Sequence, residues 1–491
     1  MTDIAVPPRP IERLPSGVPG LDIVLRGGFL RGGIYLITGD PGTGKTILVN
    51  QIAFHHVAAG GRVVYVTLLA ELHTRMLTHL QTLSFFDPTQ LGDALYYISG
   101  YQTLEAAGLA GLLQLIQQAI RDHRASLVVL DGLATAQALA ESPLHFERFI
   151  QQMHAFIDLV DCTGLLVTAR DGARSHPEDT MVDGLLVLSD QDVGLQAARE
   201  LDVRKFRGTG YLRGRHNFRI TADGITVHPR TESLLASPQA VAAVNRVRLG
   251  FGVPQLDAML DGGVLSSSTT MILGPPGSGK TLLGLHFLAA GARAGEPGLH
   301  FGFYETPTRL IDKATQVGLE VSSFAADGLL EIVWQSPLEE ILDALAERLL
   351  DAVKRRQVRR LFIDGLNGFQ AAAVYPERLS RFCTALMHEL RRLNVTTLMA
   401  VETRSLESEE LEVPITDLSA VVENILFLRY REDAVRRTRV LSILKLRESG
   451  YDPTLRPFTI TEQGIALAPA VDLPVTAPDS PQLPGAQRAA R

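Results

Sequence analysis

Gly39-Asp40-Pro41-Gly42-Thr43-Gly44-Lys45-Thr46 stands early in the chain, and Gly274-Pro275-Pro276-Gly277-Ser278-Gly279-Lys280-Thr281 stands just past its middle. Both fit G-x-x-x-x-G-K-[ST]. In that pattern the glycines let the backbone aim N–H groups at phosphate oxygens, the lysine reaches the outer phosphates, and the last hydroxyl binds magnesium. The surroundings agree. Each loop follows a short apolar run, residues 33–38 and 269–273, and opens into a helical pattern through Ile47, Leu48 and Ile52 or Leu282, Leu283 and Phe287. A helix N-terminus adds its own attraction for anions, so a triphosphate is the expected ligand of both loops.

The repetition extends outward from the loops. Leu14 to Asp22, followed by Gly27 and Gly28, is answered by Leu249 to Asp257, followed by Gly262 and Gly263; Asp22 and Asp257, like Lys45 and Lys280, lie 235 residues apart. A constant offset over separate motifs marks a duplicated domain. Residues 11–240 and 246–468 are therefore expected to form two domains. They are flanked by a proline-rich arm at 1–10 and a Pro/Ala-rich tail at 469–491 that has no apolar period and reads as disordered.

Composition narrows the class. With 491 residues the chain can bury more than one core. With 46% hydrophobic and 21% charged residues it reads as a globular protein rather than a disordered one. Apolar runs stay short of the roughly 18 residues that span a bilayer, and the start lacks the apolar core of a signal peptide, so no membrane partner and a cytoplasmic address are expected. Cys162 and Cys383 fall in apolar-periodic segments, one per half, and read as reduced core thiols. The net charge of −7 removes any global pull toward nucleic acid. The one basic run, residues 354–360, follows a helix and reads as a solvated helix end.

Strand-like segments carry the remaining chemistry. Residues 62–67 lead to Glu71 and residues 299–304 to Glu305; a carboxylate there either orients the water that attacks a γ-phosphate or simply starts a helix. Helical stretches 104–121 and 338–355 precede apolar strands closing on Asp131 and Asp364, the carboxylates expected to hold magnesium together with Thr46 and Thr281. Further helices, 144–160 and 376–393, lead to strands ending at Arg170 and Arg404, which either sense phosphate or pair with a carboxylate. Later strands carry Lys205 with Arg207 and Lys445 with Arg447. The alternation of β and α segments predicts, in each half, a mostly parallel sheet with helices on both faces, extended at one edge by antiparallel strands.

Taken together, the two loops, the strand-end carboxylates and the paired Lys-x-Arg motifs resemble the KaiC family of double RecA-like P-loop ATPases over roughly residues 11–466. Residues 218–225 and 458–465 match as well. The resemblance implies ATP and Mg2+ as cofactors, bound by Gly39, Asp40, Gly42, Thr43, Gly44, Lys45 and Thr46 and by Gly274, Pro275, Gly277, Ser278, Gly279, Lys280 and Thr281. It also implies a homo-hexameric ring of two tiers with ATP at the subunit interfaces. Lys205, Arg207, Lys445 and Arg447 would there reach the neighbour's γ-phosphate, and an unidentified protein would receive the signal. Two departures stand out. The family's adjacent pair of glutamates is reduced to Ala70-Glu71 and Tyr304-Glu305, so hydrolysis is expected to be slow. The phosphorylated Ser-Thr pair of clock members reads Ser419-Ala420, leaving at most a single autokinase site. The tail lacks the clock members' partner-binding segment. Two other readings stay open: a RecA/RadA-like nucleic-acid-dependent ATPase, against which the acidic or mixed loops 171–183 and 405–414 count, and a non-hydrolysing nucleotide-bound scaffold.

Overall fold

The computed structural model describes residues 12–68, 73–169, 177–194, 196–235, 247–338, 340–403, 421–433, 436–447 and 450–469. The chain divides into two compact units. The first comprises Met1–Ala240 with Pro337–Leu350 and Phe369–Leu386, and the second comprises Val241–Ser336, Asp351–Gly368 and Met387–Arg491.

The first unit is built on a nine-stranded sheet. Its strands are β1 (Ile34–Gly39), β2 (Val63–Thr67), β3 (Leu95–Ser99), β4 (Leu127–Asp131), β5 (Thr163–Ala169), β6 (Gly184–Val193), β7 (Gln196–Phe206), β8 (Arg215–Thr221) and β9 (Gly224–His228). They lie in the order β9-β8-β7-β6-β1-β5-β4-β2-β3. From β6 to β3 every neighbouring pair is parallel, whereas β7, β8 and β9 add on antiparallel at one edge. The parallel strands read as unbroken apolar runs because both of their faces are covered. Along β1, Tyr35 and Ile37 pack into one core with α1 (Lys45–Ala58), while Ile34 and Leu36 pack into another with α2 (Tyr101–His123) and α3 (Pro143–Leu159). Helix α2 begins earlier than its apolar period suggests. It bends at Gly108, whose φ of 62° and ψ of −161° suit only a residue without Cβ.

The second unit repeats the plan. Strands β10 (Thr269–Gly274), β11 (Gly298–Gly302), β12 (Leu330–Trp334), β13 (Arg360–Asp364), β14 (Thr396–Glu402), β15 (Asn424–Asp433), β16 (Arg436–Leu446), β17 (Arg456–Thr461) and β18 (Gly464–Leu467) are ordered β12-β11-β13-β14-β10-β15-β16-β17-β18. Helix α4 (Lys280–Arg293) follows the second loop and α5 (Pro307–Gln316) follows β11. Two further helices are α6 (Leu342–Arg356), which belongs to the first unit as far as Leu350, and α7 (Leu379–Arg392), which belongs to the first unit as far as Leu386 and is entered through a 3-10 turn at Pro376–Arg378. The chain thus folds as tandem RecA-like α/β sheets.

The basic run 354–360 departs from expectation at its end. Arg355 and Arg356 pair with Glu331 as solvated groups do. Arg360, however, is only 4% exposed: its guanidinium donates to Glu296 at 2.6 Å and to the carbonyls of Gly250 and Phe287, and it lies 4.7 Å from the Phe287 ring centroid. It is a buried brace. A guanidinium sheds water more readily than an ammonium and can satisfy its donors in such a place.

One pinning contact is duplicated with different chemistry. On α1, Gln51 accepts from the Ile225 N–H at 2.7 Å and donates to its carbonyl at 3.1 Å. At the equivalent position on α4, His286 Nε2 accepts from the Ile465 N–H at 3.0 Å. Burial, with Arg293 nearby, pushes the His286 imidazole down to about 4. The neutral ring is the native form, so its contribution is complete above the unfolded value of about 6.5 and is lost as pH falls toward 4. His286→Gln is expected to copy the first repeat and to reduce the stability lost between pH 7 and 4.5 by about 2 kcal/mol. Urea unfolding of the second unit at both pH values, read through Trp334, measures the difference.

Candidate functional site

Residues 39–46 leave β1 through a turn that only glycine allows at several points. Gly39, Gly42 and Gly44 have φ of 151°, 86° and 95°, and a Cβ on Gly39 would stand 2.0 Å from the Leu188 carbonyl oxygen. The turn runs directly into α1, so the loop amides and the helix N-terminus form one electropositive cradle. Lys45 folds back over it, its Nζ donating to the carbonyls of Gly39 at 2.8 Å and Asp40 at 2.7 Å. Burial lowers its pKa, opposed by Asp131 and Asp40. In the second loop Gly277 and Gly279 take the same left-handed conformation, with φ of 73° and 104°. Lys280 Nζ donates to Gly274 at 2.7 Å and Pro275 at 2.8 Å, and burial lowers its pKa against Glu402 and Asp364.

The sheet order sets the aspartates opposite the loops. Strand β4 lies one strand away from β1, with β5 between, and its last residue is level with Ile37, two residues short of Gly39, where Asp131 meets the hydroxyl at the start of α1. Thr46 Oγ1 donates to Asp131 at 3.0 Å, and Thr281 Oγ1 to Asp364 at 3.3 Å. Burial raises the Asp131 pKa, opposed by hydrogen bonds from Tyr65 and Thr46 and by Lys45. A hydroxyl beside a carboxylate, with few other protein oxygens, is a donor set that suits Mg2+, which takes one or two protein ligands and fills its octahedron with phosphate and water. Among the described residues no group of three or more His, Cys, Asp or Glu forms an all-protein metal cage.

Glu305 lies beside the second loop, bordering a cleft of about 290 Å3 that Lys280, Thr281, Lys313, Val317 and Ile460 also line. Its carboxylate is held by Lys313, with Nζ to Oε2 at 2.7 Å. Glu71, Arg170, Arg404 and Ser419 fall outside the described residues, as do loop residues 171–176 and 405–414. The cysteines are free and buried.

The Lys-x-Arg pairs are placed far from the loops of their own chain. Lys205 faces Leu185 across the ladder, and Leu185 sits beside Leu36, three residues before Gly39. At about 3.3 Å per residue that is about 10 Å back along the sheet. Arg207 lies further still, its N–H bonded to the Asp183 carbonyl. Lys445 repeats the geometry, opposite Ile425 and level with Met271, with the Arg447 N–H on Glu423. Each loop therefore opens at the C-terminal rim of its sheet and each basic pair at the N-terminal rim. Lys205 Nζ rests on the carbonyls of Asp179 and Thr180 at 2.8 and 2.9 Å, and Lys445 Nζ on Val422 at 2.7 Å. Burial lowers the pKa of both lysines, with Arg207 or Arg447 adding to the effect.

The family model of the KaiC ATPase matches residues 14–232 and again residues 249–472. The chain belongs to the KaiC ATPase family. Among its KaiC relatives, the circadian clock oscillator protein KaiC of Picosynechococcus sp. is 26% identical over 472 residues, covering 93% of this chain and 90% of the relative. The circadian clock oscillator protein KaiC 1 of Synechocystis sp. is 24% identical over 474 residues, with coverage of 94% and 89%. Membership in this ATPase family carries ATP binding with it at the level of the family.

Groups around the KaiC-type loops also include several that motif reading passes over. Tyr65 donates its hydroxyl to Asp131 at 2.8 Å from the strand behind it, and His300 takes that position in the second repeat, 235 residues later. Glu402 ends β14 level with Gly274 and acts on the charge of Lys280. The repeat offset alone would have paired Tyr65 with His300; nothing in their local sequence separates them from core residues.

Proposed function

We propose that this protein is a KaiC-like ATPase whose two domains, 11–240 and 246–468, each bind Mg·ATP, hydrolyse it slowly where identical subunits meet in a ring, and signal through the resulting change of conformation. The observation that carries this reading is the separation of loop and basic pair to opposite rims of each sheet. A cation about 10 Å or more back along the sheet cannot serve its own loop, but it can serve the loop of an adjacent copy.

In this reading the loop amides with Lys45 or Lys280 hold the phosphates, and Thr46 with Asp131, or Thr281 with Asp364, hold magnesium. The bound ion would neutralise charge on the β- and γ-phosphates. Glu71 and Glu305 orient water and accept its proton as its oxygen bonds to the γ-phosphorus and the bond to the β,γ-bridging oxygen breaks. Lys205 and Arg207, or Lys445 and Arg447, stabilise the charge that develops, and do so only in an assembled ring. A single glutamate at each site fits slow turnover. The ring is taken as a hexamer by likeness to the family.

A mixing experiment tests the trans assignment. One variant carries Lys45→Ala and Lys280→Ala; the other replaces Lys205, Arg207, Lys445 and Arg447 with alanine. Each alone is expected to release no phosphate from ATP above buffer, while the mixture regains turnover at interfaces that join an intact loop to an intact basic pair. A mixture as silent as its components, with subunits shown to co-assemble, would count against the proposal.

A further inference from the structure

The two aspartates are supported from behind in different ways. Asp131 Oδ2 accepts from Tyr65 at 2.8 Å and from Thr46 at 3.0 Å, and Tyr65 is part of a polar relay: Asn50 Nδ2 donates to its hydroxyl at 3.3 Å, and Tyr97 donates to Asn50 Oδ1 at 2.6 Å. In the second repeat the corresponding residues are His300, Leu285 and Ile332, so the relay is gone. His300 is 1% exposed and lies edge-on to Phe362, and among the described residues neither ring nitrogen has a hydrogen-bond partner. Its Nε2 stands 3.5 Å from Asp364 Oδ2, within ion-pair distance but beyond the usual range of a hydrogen bond, and too close for another group to intervene. Among the described residues, Asp364 accepts the long 3.3 Å contact from Thr281 through its other oxygen.

A buried imidazole without a hydrogen bond is costly, and such groups in native proteins call for an explanation. Apolar residues would fill the same space at no such cost, as they do at Leu285 and Ile332. We infer that His300 is a positioning residue for the second site: its Nε2–H closes on Asp364 Oδ2 when the carboxylate turns to hold the nucleotide's metal ion, fixing the carboxylate as Tyr65 already fixes Asp131. This rests on the assignment of Asp364 to magnesium made above. The consequence is a functional difference between the repeats. The first site has its aspartate oriented in advance, whereas the second completes its support on binding. Outer-shell partners of this kind typically govern metal affinity by 10- to 100-fold.

The test uses the full chain with Lys45→Ala to silence the first loop, a fluorescent ATP analogue as probe, and titrations with Mg2+ and with EDTA. His300→Phe is expected to raise the Mg2+ concentration needed for half-maximal binding by about 10-fold while leaving affinity in EDTA unchanged. His300→Gln, which keeps an N–H donor, should restore most of the loss. In 15N spectra of the unsubstituted chain, the His300 ring N–H should shift on addition of Mg·ATP and not of ATP in EDTA. A His300→Phe protein with wild-type Mg2+ dependence, or one weakened equally with and without Mg2+, overturns the inference. Asp364→Asn separates the two layers: if it leaves Mg2+ dependence intact, the metal assignment falls and the role of His300 falls with it. If it abolishes the dependence while His300→Phe does not, only the histidine's role falls.

Discussion

Lys280→Ala is expected to weaken ATP binding at the second loop by roughly a hundredfold, about 3 kcal/mol, while the fold stays within about 1 kcal/mol of the unsubstituted chain. The two expectations come from the same geometry. Among the described residues the Lys280 ammonium donates to the carbonyls of Gly274 and Pro275, and these already lie in a loop held by glycine geometry and by the start of α4. Removing the ammonium costs little there. Against a triphosphate, by contrast, a half-buried cation is a large part of the attraction, because low solvent exposure leaves its charge poorly screened. Lys280→Arg should not rescue binding, since a planar guanidinium does not fit the space over the loop that a slender ammonium occupies. Isothermal titration with ATP in the Lys45→Ala background isolates the second site. An affinity within threefold of the parent would refute the loop assignment.

The largest effect on stability is expected at Asp343. This residue lies in the first turn of α6, is fully buried, and belongs with Thr231, Glu232 and Arg378 to the first unit. Its Oδ1 accepts from the Thr231 N–H and hydroxyl at 3.0 Å each, and Arg378 Nη2 donates to both of its oxygens at 3.0 Å. Arg378 in turn donates to Glu232 through Nε and Nη2 at 2.9 Å each. Burial pushes the Asp343 carboxyl up, opposed first by Arg378. The two carboxylates hold the Arg378 guanidinium firmly charged. Asp343→Ala leaves a backbone N–H, a hydroxyl and part of a buried guanidinium without acceptors, and should cost about 3 to 5 kcal/mol. For a unit of this size that lowers Tm by roughly 10 °C, which calorimetry will register. Asp343→Asn keeps the shape and one acceptor oxygen and should lose about half as much. A loss under about 1 kcal/mol for the alanine variant would show that the network contributes little.

Sequence reading recovered the parts of this molecule that have local signatures. The loops at 39–46 and 274–281 announce themselves by spacing. The central strands do so by apolar runs, because a parallel strand covered on both faces has no polar side to interrupt it. The antiparallel edge strands were legible from alternation, and the aspartates from their place at strand ends. Arg360 was misjudged because a run of cations after a helix looks the same whether its last member is solvated or braced against Glu296 and Phe287. Asp343, Arg378 and Glu232 were invisible for a related reason: their meeting depends on chain segments 35 and 146 residues apart, and nothing near any of them signals the others. Tyr65 and His300 sat in plain view within apolar strands, but a polar residue in such a strand is legible only once the aspartate in the neighbouring strand is known to stand beside it.

The opposition of loop and basic pair across each sheet has a kinetic meaning. If the basic pairs act in trans as proposed, a chain arranged this way is a poor catalyst in isolation, and its output per molecule should climb with its own abundance, steeply near the dissociation constant for assembly and then level off. On that reading dilution would act as an off switch and crowding of copies as an on switch. Turnover plotted against protein concentration should bend upward from the origin rather than rise as a straight line.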